Sequence, residues 1–170
     1  MKTILNLSIV ILFSIQVSAQ NKIKDYLPLK NEKVTFSKVI NIDETLSRDD
    51  IYKHAKKWLA YNFETIKYEY RNMNDGDELI ARGYFVYKNM YIWETITIKI
   101  IQLKYKYEFT DFEIKYTNNN NSALSTVDSP LEKFDDTSSS QELYSEIDKQ
   151  INNMGKALQK AIINFADDIW

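Results

Sequence analysis

The chain has 170 residues with 22 basic and 24 acidic side chains, a formal net charge of −2, no cysteine and one histidine, His54. Without cysteine there are no disulfides, no thiol catalysis and no thiolate metal sites, so the core alone must hold the fold. Lysine supplies 19 of the basic residues and arginine 3, and no net positive charge accompanies them, which argues against a nucleic-acid partner.

Residues 1–19 have the three-part form of a secretory signal. Lys2 is a minimal basic start, an apolar stretch runs from Ile4 to Ile15, and Val17-Ser18-Ala19 precedes Gln20 as a small-residue cleavage site. The unbroken apolar run from Ile9 to Phe13 is too short for a membrane span, which needs about 20 apolar residues. An exported chain, periplasmic or secreted from a bacterial host, with no transmembrane span after cleavage is therefore expected. Residues 20–32 read as a flexible polar lead-in and 33–170 as one domain.

Val34 to Ile42 alternates as a first strand. Ser47 then caps a helix whose acids Asp49 and Asp50 sit in the first turn, with Ile51, Ala55, Trp58 and Leu59 as one apolar stripe ending near Asn62. From Glu64 to Tyr116 the period is two. A two-residue turn at Asp75-Gly76 sets Tyr70 against Ala81 and Tyr68 against Gly83. A second at Asn89-Met90 sets Phe85 against Glu94 and Gly83 against Ile96, and a third near Ile101 to Lys104 pairs Ile100 with Tyr105. Facing residues share a sheet face, so these turns gather Ile66, Tyr68, Tyr70, Leu79, Ala81, Phe85, Tyr87, Ile92, Ile96, Ile98 and Ile100 on one apolar face, to which the third turn adds Tyr105, Tyr107 and Phe109. The phase then slips, and a bulge near Thr110 or Asp111 is expected.

Thr117 to Thr137 is a long polar loop with an apolar clip at Leu131 and Phe134. A last helix starts near Ser139, where Ser139 and Glu142 are spaced as a capping box. Leu143, Ile147, Ile151, Met154, Leu158, Ile162 and Phe165 form its stripe. The fold class expected is α+β, in the order β-α-β-β-β-β-α, a curved antiparallel sheet with both helices on one face.

On this order, and on Val34-Thr-Phe-Ser-Lys-Val-Ile40, Leu46-Ser-Arg-Asp-Asp-Ile-Tyr52, Ala55-Lys-Lys-Trp-Leu59, Leu79-Ile-Ala-Arg-Gly83 and Ser129-Pro-Leu-Glu132, the chain resembles a family. It is that of uncharacterised exported bacterial proteins described as a domain of unknown function with a TATA-binding-protein-like fold. The resemblance covers roughly residues 34 to 135 and implies a fold and an export habit. It implies no activity, ligand, cofactor or catalytic residue, and a shared architecture does not carry a DNA site with it.

Candidate chemistry is sparse. His54 borders the helix stripe as a surface residue, and Asn72 to Glu78 misses the spacing of a calcium loop, with Gly76 one place early and Gly83 where the glutamate belongs. Glu94 falls on the apolar face opposite Asp111. Facing residues stand about 5 Å apart, so the two could act as a hydrolase-like or metal-binding carboxylate pair. On the other face Glu69 pairs with Arg82. Tyr84, Val86, Trp93 and Phe112 read as a surface for an envelope protein, glycan or lipid, because both helix stripes are committed to the opposite side.

Overall fold

The computed structural model describes residues 23–42, 46–63, 65–70, 76–116, 129–134 and 138–164. The signal segment, the tip of the Asp75-Gly76 turn, most of the long loop and Phe165 lie outside them.

Part of the segment expected to be a loose lead-in is structured. Ile23–Asp25 form a 3-10 turn, and β1 (Leu29–Lys30) pairs with β2 (Lys33–Val34) in a short hairpin. The reason is Leu27 and Val34, which are both buried in the core and hold this segment down. β3 (Phe36–Asn41) follows, and then α1 (Arg48–Asn62). The Ser47 hydroxyl accepts from the Asp50 amide at 3.1 Å while the Asp50 carboxylate accepts from the Ser47 amide at 3.2 Å, a reciprocal cap built with aspartate. Ile51, Ala55, Trp58 and Leu59 are buried as their spacing requires, joined by Tyr52.

The main sheet runs β3-β7-β6-β5-β4, all antiparallel, with β4 (Thr65–Tyr70), β5 (Asp77–Tyr87), β6 (Met90–Ile101) and β7 (Lys104–Tyr116). Two registers differ from expectation. In β5 and β6 the turn is Lys88-Asn89, so Tyr87 pairs with Met90, Phe85 with Ile92 and Gly83 with Glu94. Met90 is buried, and drawing it into the strand moves the turn back by one residue, with Lys88 taking a φ of +53°. A move of that size slips the pairing by two, which preserves the face, so the predicted core set survives the slip.

In β4 and β5, Tyr70 pairs with Glu78 and Tyr68 with Ile80, with an irregularity between Ile66 and Tyr68. The connection is longer than two residues because Asp77 already belongs to β5, opposite Ile100. It is held there by Arg48, whose Nε and Nη2 donate to the two carboxylate oxygens at 3.0 and 2.9 Å. Tyr68 and Tyr70 therefore share a sheet face with Ile80 and Glu78, opposite to the apolar face expected for them, because the irregularity after Ile66 shifts the register by one.

The third register is as expected, Ile100 against Tyr105, and so is the slip. Thr95 pairs with Thr110 and Trp93 with Glu113, so Glu94 stands against two residues, Asp111 and Phe112. Asp111, the first of the two, takes a positive φ of +53°, the left-handed form of bulge. α2 (Ser138–Asn164) crosses the same face as α1, burying Leu143, Ile147, Ile151, Leu158 and Ile162. Each such side chain contributes about 2 kcal/mol. Gly155 lets α2 approach the Tyr107 hydroxyl, where a Cβ would collide. Glu142 accepts from Lys88 at 2.8 Å, and the Ser139 side chain of the expected capping box lies outside the described ones.

β8 (Ser129–Pro130) pairs with the end of β7, Ser129 opposite Ile114. Leu131 enters the core, and Glu132 accepts from the Val34 amide at 2.8 Å. The described end of the long loop therefore closes on the helix side of the sheet. Among the described residues no helix is long and apolar enough to cross a membrane.

Candidate functional site

With both helices on one face, the other face of β5, β6 and β7 carries partly exposed side chains. Tyr84 is 38% and Val86 58% exposed, and among the described residues no helix or strand packs over them. Tyr84 from β5 lies opposite Trp93 on β6, with ring centroids 4.8 Å apart, and its ring meets that of Tyr91 edge-on at 5.0 Å. Two cations bracket the indole. The Arg82 guanidinium is 5.5 Å and the Lys115 ammonium 5.4 Å from the Trp93 ring, contacts worth about 0.5–1 kcal/mol each at a surface. Arg82 also donates to Glu113 on β7, two strands away. The Glu69 partner expected from the sequence is displaced by the true register, which puts Leu79 opposite Glu69.

Three of the four residues read as a surface thus come together: Tyr84, Val86 and Trp93. Phe112 does not. It is 1% exposed and packs edge-on against Phe36 at 5.9 Å in the core, because the bulge at Asp111 reverses the facing of everything after it. The same reversal brings Glu113 and Lys115 to Trp93, two residues outside the expected surface although the predicted phase slip implies them. Tyr91 is also implied by the sequence, two residues before Trp93 on the same strand and so on the same face.

The carboxylate pair does not form. Asp111 is turned to solvent and accepts from Lys33 at 3.0 Å, with its side chain 48% exposed. Glu94 is 2% exposed on the helix side, opposite Gly83, and its Oε2 has no hydrogen-bond partner among the described residues. Burial pushes its pKa up from 4.5 to about 8, against a weaker opposing pull from Arg82. At neutral pH the group is mostly a neutral acid. The other candidates are structural. The His54 ring bonds through Nδ1 to the Ile162 carbonyl at 2.9 Å, tying α1 to α2, and Asp77 is committed to Arg48.

An antiparallel sheet in the order β3-β7-β6-β5-β4, covered on one face by two helices and aromatic on the other, defines an α+β protein of the TATA-binding-protein-like class. Residues 36–117 match the family described as a domain of unknown function (DUF4468) with TBP-like fold, the family that the sequence resembles. The matched segment runs from β3 to just past β7 and stops short of the Ser129-Pro-Leu-Glu132 motif. The chain is similar to the crystal structure of a TBP-like protein from Parabacteroides distasonis, with a TM-score of 0.62, 16% identity, and 81% of this chain and 97% of that one covered. It is also similar to a DUF4468 family protein from Bacteroides ovatus, with a TM-score of 0.46, 18% identity, and 86% and 90% covered. At these identities the first likeness establishes the fold alone. A comparison with the curated proteins finds no match.

Proposed function

We propose that this protein is a non-enzymatic binding module of the bacterial cell envelope, exported by its signal segment, and that it holds an envelope component on the open sheet face. One observation carries the reading: Tyr84, Tyr91 and Trp93 form a ring cluster flanked by Arg82 and Lys115 on a face that neither helix covers. Aromatic and arginine side chains on a rigid sheet lose little conformational entropy on binding, and they dominate interface energies for that reason. The signal-like residues 1–19 support the compartment, and the similar structure from Parabacteroides distasonis supports a bacterial host. The hydrolase alternative needs Glu94 and Asp111 to act together, and the burial of Glu94 on the helix side with Asp111 bound to Lys33 outside favours the binding reading over it.

The test is retention of solubilised envelope protein, glycan and lipid fractions on the immobilised mature chain, compared with Trp93→Ser. The reading expects a component whose retention falls at least about tenfold in the variant, with a loss in stability of no more than about 1–2 kcal/mol from the partly buried ring. Equal retention by both proteins, or none by either, overturns it.

A further inference from the structure

The β3 edge of the sheet carries a second site, distinct from the open face. β3 pairs with β7 on one side only. Two backbone bonds give the direction of its polar groups. The Ile42 amide donates to the Leu103 carbonyl at 2.8 Å on the β7 side, and the Thr35 amide donates to the Pro28 carbonyl at 2.9 Å on the outer side. Antiparallel pairing alternates, so Phe36, Lys38 and Ile40 bond inward while Ser37, Val39 and Asn41 turn their amides and carbonyls outward. The β1-β2 hairpin fills the outer side as far as Thr35 and stops there. Beyond it, the outward groups have no backbone partner among the described residues, and Val39 is 55% exposed.

Beside this edge lies a cavity of about 310 Å³ between β3 and α2, lined by Pro28, Phe36, Lys38, Tyr107, Ile151 and Asn152. Its lining is mixed, with Lys30, Thr35 and Ser37 beside the apolar Pro28, Phe36 and Ile151. Lys38 shares the helix side of β3 with Phe36 and Ile40, so a strand added to the edge would direct every second side chain into the cavity. Charge at the edge is one-sided. Lys30 and Lys106 both bind the Glu108 carboxylate at 3.0 Å, and Lys38 has no ion-pair partner among the described residues, which leaves three lysines to one acid in a chain of net negative charge.

From the free edge, the adjoining cavity and the lysine excess, we infer that β3 accepts an extended acidic peptide as an added strand, with an apolar side chain in the cavity and carboxylates on Lys30 and Lys38. Main-chain hydrogen bonds to Ser37, Val39 and Asn41 supply affinity, and the cavity and the lysines supply selectivity. Lys38 alone would also discourage uncontrolled edge pairing. The cavity next to it is what marks the edge as a docking site.

The probes are two sets of synthetic octapeptides in which serine alternates with glutamate and one of Val, Leu, Phe or Tyr taken in turn, so that the acidic and apolar side chains share the face toward the cavity and Lys38; the second set has lysine in place of glutamate. Binding to the mature chain is read by fluorescence anisotropy at low salt, and amide protection by hydrogen exchange. Members of the glutamate set bind in the micromolar range, the lysine set does not, and the amides of Ser37, Val39 and Asn41 gain protection. Val39→Pro removes one outward amide without breaking the bonds to β7, and Lys38→Glu reverses the rim charge; each weakens binding by at least about tenfold. Should Val39→Pro unfold the chain, Lys38→Glu and the exchange pattern carry the test. Failure of the glutamate set to bind overturns the inference, as does equal binding of both sets. Protection of the edge amides by rising protein concentration alone also overturns it, and makes a second copy the occupant.

Discussion

Glu94 makes the stability of this protein depend on pH in a window where surface carboxylates are silent. Its side chain is 2% exposed, with one oxygen unpartnered among the described residues and a pKa pushed up to about 8 by burial. The folded state therefore holds this proton more tightly than the unfolded chain does. The group leaves stability untouched below about pH 4.5, erodes it as pH rises from there to about 8, and imposes a constant cost above. Each tenfold gain in proton affinity is worth about 1.4 kcal/mol, so the full cost is roughly 4–5 kcal/mol. Depressed acids act elsewhere: Asp50, held down by the Ser47 hydroxyl, and Glu142, held down by Lys88, lose their contribution only as pH falls below the ordinary carboxylate range. Glu94→Gln keeps the shape and removes the titration. Urea midpoints of both proteins at about pH 5 and about pH 8.5 give the result: near equality at the acid end, and a variant more stable by a few kcal/mol at the alkaline end. A stability difference that stays the same at both pH values would refute the assignment of a neutral buried acid.

Gly83→Val puts a Cβ 2.7 Å from the Phe63 ring, and should cost about 1–3 kcal/mol in chemical denaturation, with part recovered by Phe63→Leu. Arg48→Met removes both Arg48 bonds to the 1%-exposed Asp77 carboxylate and should cost about 3 kcal/mol; adding Asp77→Asn should return part of it, as a double-mutant cycle will read. Phe112→Ala should cost about 3 kcal/mol or more by urea midpoint, since the ring is buried against Phe36.

The helices and the core were legible because their signals are local and repeated. Ser47 with Asp50, and the spacing of Ile51, Ala55, Trp58 and Leu59, leave little freedom in α1. The core face survives the displaced β5-β6 turn because a slip of two residues keeps every side chain on its side. The β4-β5 register was not legible. Its turn signal at Asp75-Gly76 is strong, but Asp77 is bound by Arg48, 29 residues earlier in the chain, and no local rule weighs a contact at that distance. The order in the lead-in was hidden for a similar reason, its polar residues surrounding Leu27, which is buried by parts of the chain far off in sequence. For the open face, alternation was enough to find Tyr84, Val86 and Trp93. It failed at Phe112, where the expected bulge had to be followed through to its consequence.

That bulge links the two halves of the molecule. One extra residue, Asp111, swings out to Lys33 at a φ of +53°, and the strand beyond it turns over. Phe112 and Ile114 then enter the core, while Glu113 and Lys115 reach the open face beside Trp93 and Arg82. Were β7 regular, two charged side chains would fall in the core and two large apolar ones on the surface, an exchange costing several kcal/mol. The bulge is thus required by the alternation of the sequence. The same offset leaves Glu94 facing Asp111 and Phe112 rather than a single partner, with Asp111 engaged outside and Phe112 apolar. The feature that adds Glu113 and Lys115 to the aromatic surface therefore also turns Asp111 away from Glu94.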